Sequence, residues 1–327
     1  MPAIVAIPVC GWRIEFVSFL FGGTSRRRTD AGVKPRMQNH LPPQDAAVRA
    51  THYLGQEITI ITCYDLGAEG AYQVTVGDAP YVFKYWSDEA AAAVSLATAV
   101  AAHSVLHQCG WPVPTIFFWH RDPHFAFVLE AQMPGNRVVG VSAALCQQLL
   151  TLLAAVPPPP RDLPTPTTAW VTLLEHTLYD DLPISACRPC ALERTILGRR
   201  LLAHARRTLT AAHPALTAAH DIIHGDFSAG NILCDNAGAL TAVLDWQQAG
   251  VGHRGFDLIG LEWDLALRLD VGSAPALALV TAHVDEQIAE PVRSFCRAYY
   301  GVWNLSWALD TPDEATVLCA ATMVGVI

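Results

Sequence analysis

The stretch HDIIHGDFSAGNILCDNAGALTAVLDWQQAG, residues 220–250, gathers side chains that could act together. Asp226 and Asn231 stand five residues apart, and Asp245 follows fourteen residues beyond Asn231, at the end of the apolar run TAVL. Phosphoryl transfer from a nucleotide asks little covalent work of a protein. It needs a lysine on the phosphates, hard oxygen ligands for the metal that bridges them, and a carboxylate that positions the acceptor hydroxyl. Asp226 suits the last role, and Asn231 and Asp245 suit the metal. Lysine usage supplies the cation. The chain has 19 arginines but only two lysines, Lys34 and Lys84, and Lys84 sits centrally in YVFKYW. A chain that uses Arg almost everywhere yet keeps one amine there points to a site for a compact point charge.

These residues need elements to hold them. From Glu57 to Trp86 the pattern is strand-like, with EITIITCYD, AYQVTVG and YVFKYW as strands and a turn at Gly77-Asp78. Between the first two strands LGAEGAY reads as a loop, where Gly67 and Gly70 would let backbone amides approach phosphates. Ser87 suits the N-cap of a long Ala-rich helix over 88–108, and WPVPTIFFWH and HFAFVLEAQ read as two more strands. MPGNR, residues 133–137, breaks the pattern and marks a lobe boundary. Helical periodicity then covers roughly 141–155, 168–178, 191–212, 255–270, 274–288 and 290–308. Only IIH, NILCD and LTAVLDW read as short strands there; Asp221, Asp235 and Asn236 read as turn formers. The expectation is an α+β, two-lobed fold: a small β-rich lobe over 37–135, a larger helical lobe over 136–327, and a ligand cleft between them.

Composition removes several function classes. A net charge of −9 argues against a nucleic-acid partner, which demands a basic face. No apolar run reaches the length of about 18–20 residues that a bilayer requires. Nine scattered cysteines read as reduced and cytoplasmic, and the lone Cys187-x-x-Cys190 as apolar filler. Residues 1–36 differ from the rest: an apolar stretch comes first and the basic run follows it, the reverse of a secretory signal. They are expected to be a dispensable, disordered or non-native leader, with Met37 opening the first domain helix.

HGDFSAGNIL followed by VLDWQQAGVGHRGFDL, over 224–258, resembles the aminoglycoside phosphotransferase family, which includes choline and homoserine-type kinases. The likeness is looser over 57–135. It also matches the D-x-x-x-x-N spacing of protein kinases, with Gly225 in place of Arg. The resemblance implies a protein-kinase-like fold with Mg²⁺ and ATP or GTP. It implies Asp226 as catalytic base, Asn231 and Asp245 as Mg²⁺ ligands, and Lys84 on the α/β-phosphates. Glu130, Gln132 and Met133 would lie in the adenine-contacting hinge, while His224 and Asp257 would brace the catalytic loop. One departure is visible. Such enzymes pair the lysine with a Glu in the middle of the next helix, yet residues 90–108 contain no acid. Only Asp88 and Glu89, in the first turn, are candidates, and they equally suit the helix dipole. If Glu89 does not reach Lys84, the lysine is held otherwise or activity is low.

Residues 136–327 carry 19 acidic and 12 basic side chains, which favours a cationic small-molecule acceptor such as an aminoglycoside. The expected activity is a small-molecule kinase acting on a hydroxyl, as a monomer or homodimer. The alternatives are a metabolic kinase for choline, homoserine or a sugar, and a nucleotide-binding regulator with little turnover. A protein kinase is disfavoured, because neither D-F-G nor A-P-E follows Asp245.

Overall fold

A computed structural model describes residues 6–9, 12–15, 41–64, 71–87, 96–122, 124–159, 167–179, 189–268 and 272–310. Gly67, Gly70, Asp88, Glu89 and Cys187 lie outside the described residues. Near the N-terminus, β1 (Ala6–Val9) and β2 (Trp12–Glu15) pair antiparallel in a sheet of their own.

The first lobe is built on five antiparallel strands: β3 (Ile58–Tyr64), β4 (Ala71–Val76), β5 (Ala79–Trp86), β6 (Ile116–Asp122) and β7 (Phe125–Ala131). Their order is β3-β4-β5-β7-β6, so β5 pairs with β7 and passes over β6. Alternation along each strand gives the sheet two apolar faces. Phe83, Tyr85, Phe127 and Leu129 point to one face and bury Ala46, Ala47 and Ala50 of α1 (Pro43–Leu54). Trp86, Ala126 and Val128 point to the other, against Leu96 and Val100 of α2 (Leu96–Gln108). Gly55 ends α1 in the left-handed conformation, its N–H donating to Thr51 O at 2.8 Å. Gly77-Asp78 form the predicted two-residue turn, with Val76 opposite Ala79 and Gly77 at φ 59°.

The Pro-Gly boundary leads into β8 (Asn136–Arg137), which pairs with β10 (Ile232–Cys234) and, through it, β11 (Leu240–Val243). Gly135 has φ +120°, and a Cβ there would run into Thr241 Oγ1 and approach Cys234 O to 2.9 Å. The connection is therefore docked on the hairpin that carries the motif residues. A second two-stranded sheet joins β9 (Asp221–Ile223) to β12 (Gly250–Gly252).

Around these strands pack α3 (Ala143–Ala154), α4 (Thr167–Tyr179), the short α5 (Pro189–Leu192), α6 (Ile196–Ala218), α7 (Gly255–Ala266), α8 (Ala274–Gln287) and α9 (Glu290–Asp310). Ser142 caps α3 by accepting from Leu145 N at 3.1 Å. One continuous apolar core, including Leu149, Leu174, Leu201, Ile259 and Phe295, joins these helices. Glu262 in α7 is fully buried and is met by a two-pronged Arg297 from α9, at 2.6 and 2.8 Å. A buried carboxylate without such a partner would be strongly destabilising. The α+β, two-lobed expectation holds, and the predicted helices of the second lobe are present, except that the one expected over 191–212 is divided into α5 and α6, with Thr195 capping α6. Asp235 makes its predicted turn, accepting from Ala237 N and Ala239 N. Asp221 does not: it lies in β9 and accepts from Arg254 N at 3.0 Å, tying β9 to the start of α7.

Candidate active site

The loop between β9 and β10 carries Asp226 and Asn231, and its shape is fixed by backbone amides. Asp257, in the first turn of α7, accepts from His224 N at 2.7 Å and Gly225 N at 3.0 Å. Asp264, two turns further along the same face of α7, accepts from Ala229 N at 2.9 Å and from Arg268 Nε at 2.9 Å. Burial pushes the Asp257 carboxyl up, while the two backbone N–H groups it receives oppose that rise. Gly225 has φ +84°, and a Cβ there would stand 2.5 Å from Gln248 O. That is the local reason for Gly ahead of Asp226: any side chain would strike the segment after Asp245.

Asn231 donates from Nδ2 to Asp226 O at 2.8 Å, which leaves its amide oxygen as the end available to a cation. Its own carbonyl accepts from Leu244 N at 2.8 Å, so Asn231 and Asp245 are held on adjacent backbone. Asp245 itself has φ 67° and ψ 51°, and among the described residues it is the one non-glycine residue with positive φ. Such a conformation costs of order 1–3 kcal/mol and persists where the surroundings impose it, typically at functional sites. Trp246 fixes the following turn, with Nε1 donating to Val243 O at 3.0 Å and its ring against His224 at 4.6 Å.

From the sheet comes Lys84. Its Nζ lies 3.2 Å from Glu130 Oε2 and 3.3 Å from Asp245 Oδ1, so the ammonium links β5, β7 and the loop after β11. The Lys84 and Glu130 side chains are only 14% and 12% exposed, against 32% for Asp245. Burial alone would push Lys84 down, but the charges of Glu130 and Asp245 outweigh it and hold the amine above its usual range. It is an ammonium throughout the physiological range.

The structure thus brings Lys84, Glu130, Asp226, Asn231 and Asp245 to one side of the sheet and its facing loops. Glu130, expected in the hinge, turns its carboxylate to Lys84. Gln132 receives a hydrogen bond from Gln73 Nε2 at 3.4 Å. Met133 lines, with Tyr81, Phe117 and Pro134, a pocket of about 420 Å³. Tyr81 and Ala131 point away from Lys84 by strand alternation, so that pocket opens on the sheet's opposite face. Sequence reasoning also missed Asp264, whose signal, an acid seven residues after Asp257 on the same helix face, was present.

The donor set suits Mg²⁺, which takes one or two protein oxygens and fills the remainder with water and phosphate. Among the described residues no cluster of three or more His, Cys, Asp or Glu forms a metal cage of another kind.

A family profile described as the phosphotransferase enzyme family (APH) matches residues 64–299, which span β4 to α9 and every side chain just placed. The chain belongs to that family. It is a small-molecule kinase of the kinase-like fold. No curated protein sequence matches it. Among solved structures it is similar to the choline kinase LicA from Streptococcus pneumoniae, with TM-score 0.56 and 8% identity over 86% of this chain and 97% of that one. It is also similar to a thermostable mutant of aminoglycoside phosphotransferase APH(4)-Ia in complex with ADP and hygromycin B. There the TM-score is 0.54 and the identity 15%, over 86% and 96% of the two chains. Aminoglycoside-3'-phosphotransferase of type VIII gives TM-score 0.54 and 21% identity, over 79% and 98%. Among the described residues no helix is long and apolar enough to cross a membrane.

Proposed function

We propose that this kinase moves the γ-phosphoryl group of ATP or GTP to a hydroxyl of a cationic small molecule, an aminoglycoside or another hydroxylated antibiotic. The observation that carries the reading is the meeting of Lys84, from the sheet, with Asp245, from the loop that also holds Asn231 and Asp226. In this reading Lys84 takes the nucleotide phosphates, and Asp226 accepts the proton of the acceptor hydroxyl. As that oxygen bonds to the γ-phosphorus, the bond to the bridging oxygen breaks and the nucleoside diphosphate leaves. Asn231 and Asp245 would hold Mg²⁺, which when bound neutralises charge on the phosphate oxygens. The acidic balance of residues 136–327 favours an amine-bearing acceptor, and a relative's complex with hygromycin B is in keeping with that class.

A metabolic alcohol, such as choline, homoserine or a sugar, is the second enzyme reading, supported by the likeness to choline kinase. The regulator reading drew on a lysine without an acid, and Glu130 removes that motive. The test is a coupled assay of nucleoside diphosphate release by the full chain, screened against aminoglycosides, other hydroxylated antibiotics, choline and homoserine with ATP and with GTP. Acceptor-dependent release with an aminoglycoside supports the proposal. Release with choline or homoserine alone replaces it with the metabolic reading, and failure of every acceptor overturns both.

A further inference from the structure

Lys84 is a cation largely withdrawn from water, and such a charge must be compensated by something that stays in place. Two carboxylates meet it, and they are not equivalent. Asp245 is the more exposed, sits on a loop in a left-handed conformation, and belongs with Asn231. Once it serves a metal, its charge no longer belongs to Lys84 alone. Glu130 has no such second duty in the described structure. It lies on β7, the strand hydrogen-bonded to β5, with Lys84 opposite Val128 and Val82 opposite Glu130. That register makes Glu130 the diagonal neighbour of Lys84 on the same face, a separation that two long side chains close. Strands place side chains more exactly than loops do.

Among the described residues, the helix packed on this face offers no substitute. The sequence of α2, LATAVAAHSVLHQ, contains no acid, and His103, the polar side chain it buries near Lys84, has no hydrogen-bond partner at Nε2. We propose that Glu130 is the positioning residue of Lys84, a strand-borne carboxylate that fixes the ammonium for the nucleotide phosphates and leaves Asp245 to the metal. This rests on the reading of Lys84 as the phosphate cation. It follows that this carboxylate is supplied from within the sheet, by the strand beside β5, and not by α2.

The scarcity of lysine makes Lys84 directly observable. In a full chain carrying Lys34→Arg and ¹³Cε-labelled lysine, a single lysine signal remains. In that parent it should stay that of an ammonium past the ordinary lysine value of about 10.4. Adding Glu130→Gln should bring the titration at least about one pH unit lower. It should also weaken Mg·ATP at least about tenfold by calorimetry, and lower Tm, because a largely buried ammonium loses one of its two carboxylates. Glu130→Asp, which keeps the charge and shortens the reach, should recover part of both. A Glu130→Gln chain with the parent's lysine titration and the parent's Mg·ATP affinity would overturn the proposal. If the Gln variant does not fold, Glu130→Asp decides: parental titration and parental affinity overturn it equally. Failure of the parent itself to bind Mg·ATP would be a different result, and would remove the nucleotide reading of the site.

Discussion

His224 Nε2 lies 2.8 Å from the carbonyl oxygen of Leu244, the residue before Asp245, while Nδ1 faces the amide of Asp226 at 3.2 Å. One nitrogen meets an acceptor and the other a donor, so the network assigns a neutral ring that donates from Nε2 to Leu244 and accepts at Nδ1 from Asp226. A single imidazole, 1% exposed, therefore spaces the proposed base from the proposed metal carboxylate. Its partner Asp257 holds the same loop from below, through the amides of His224 and Gly225. The loop is held chiefly through its backbone, and the Asp226 carboxylate adds a longer contact from Asn231 Nδ2 at 3.4 Å.

That arrangement makes Asp226→Asn a clean test. The amide is isosteric and the loop keeps its bonds to Asp257, Asp264 and His224. Transfer should fall by about 10²- to 10⁴-fold in kcat, the usual worth of a positioned base. Calorimetric Mg·ATP affinity should stay within about threefold, because Asp226 acts on the acceptor. Turnover near that of the parent would remove Asp226 from the chemistry.

Gly225→Ala should damage the fold and the site together. A residue with a Cβ is strained at φ +84° and, held there, would also stand 2.5 Å from Gln248 O. The strained backbone alone costs of order 1–3 kcal/mol. For a chain of this size we expect a Tm lower by at least about 3 °C, with loss of activity. A melting curve superimposable on the parent's would mean that the loop yields at no cost.

Much of this site was legible in the sequence, and the part that was not has a topological cause. Asp226, Asn231 and Asp245 could be read because they sit in one contiguous stretch whose spacing is itself the signal. Lys84 could be read because the chain almost lacks lysine. The direction of Glu130 could not. Period-two alternation tells which face a strand residue occupies, but not which strand lies beside it. Here β5 passes over β6 to pair with β7, and only that order makes Glu130 the neighbour of Lys84. The left-handed Asp245 was equally hidden, since Leu-Asp-Trp carries no local demand for positive φ. Its conformation is imposed by Leu244 and Trp246, each tied to backbone elsewhere.

His103 predicts an acid sensitivity. Burial holds its pKa down to about 4, with His107 and Lys84 adding to the effect. Below the unfolded value of about 6.5 the unfolded chain takes up a proton that the folded chain refuses. Its contribution to stability is therefore intact above pH 6.5, falls as pH drops towards 4, and levels off below. Over pH 7 to 4.5 the loss attributable to this ring is about 2–3 kcal/mol. His103→Leu should remove it, so urea melts of the variant and parent should diverge by that amount in the variant's favour on acidification. Parallel pH profiles would show that the ring charges without penalty.

Lys84→Arg is the sharpest substitution, because the composition and the geometry reach the same residue separately. Arginine keeps the charge, and this chain uses it nearly everywhere else. Yet Lys84 ends in a slot between Glu130 Oε2 at 3.2 Å and Asp245 Oδ1 at 3.3 Å, with 14% of its side chain exposed. A planar guanidinium is larger than an ammonium and pairs carboxylates edge-on through two parallel N–H groups. Facing Glu130 that way, it would turn its donors along the sheet and away from the phosphates. Folding should change little, since the ion pair survives, and Tm should stay within a few degrees. kcat/KM for the acceptor found by the release screen should fall at least about tenfold, roughly 1.4 kcal/mol of transition-state stabilisation. If the Arg chain turns over as fast as the parent, charge alone suffices at position 84 and the lone lysine has no chemical reason.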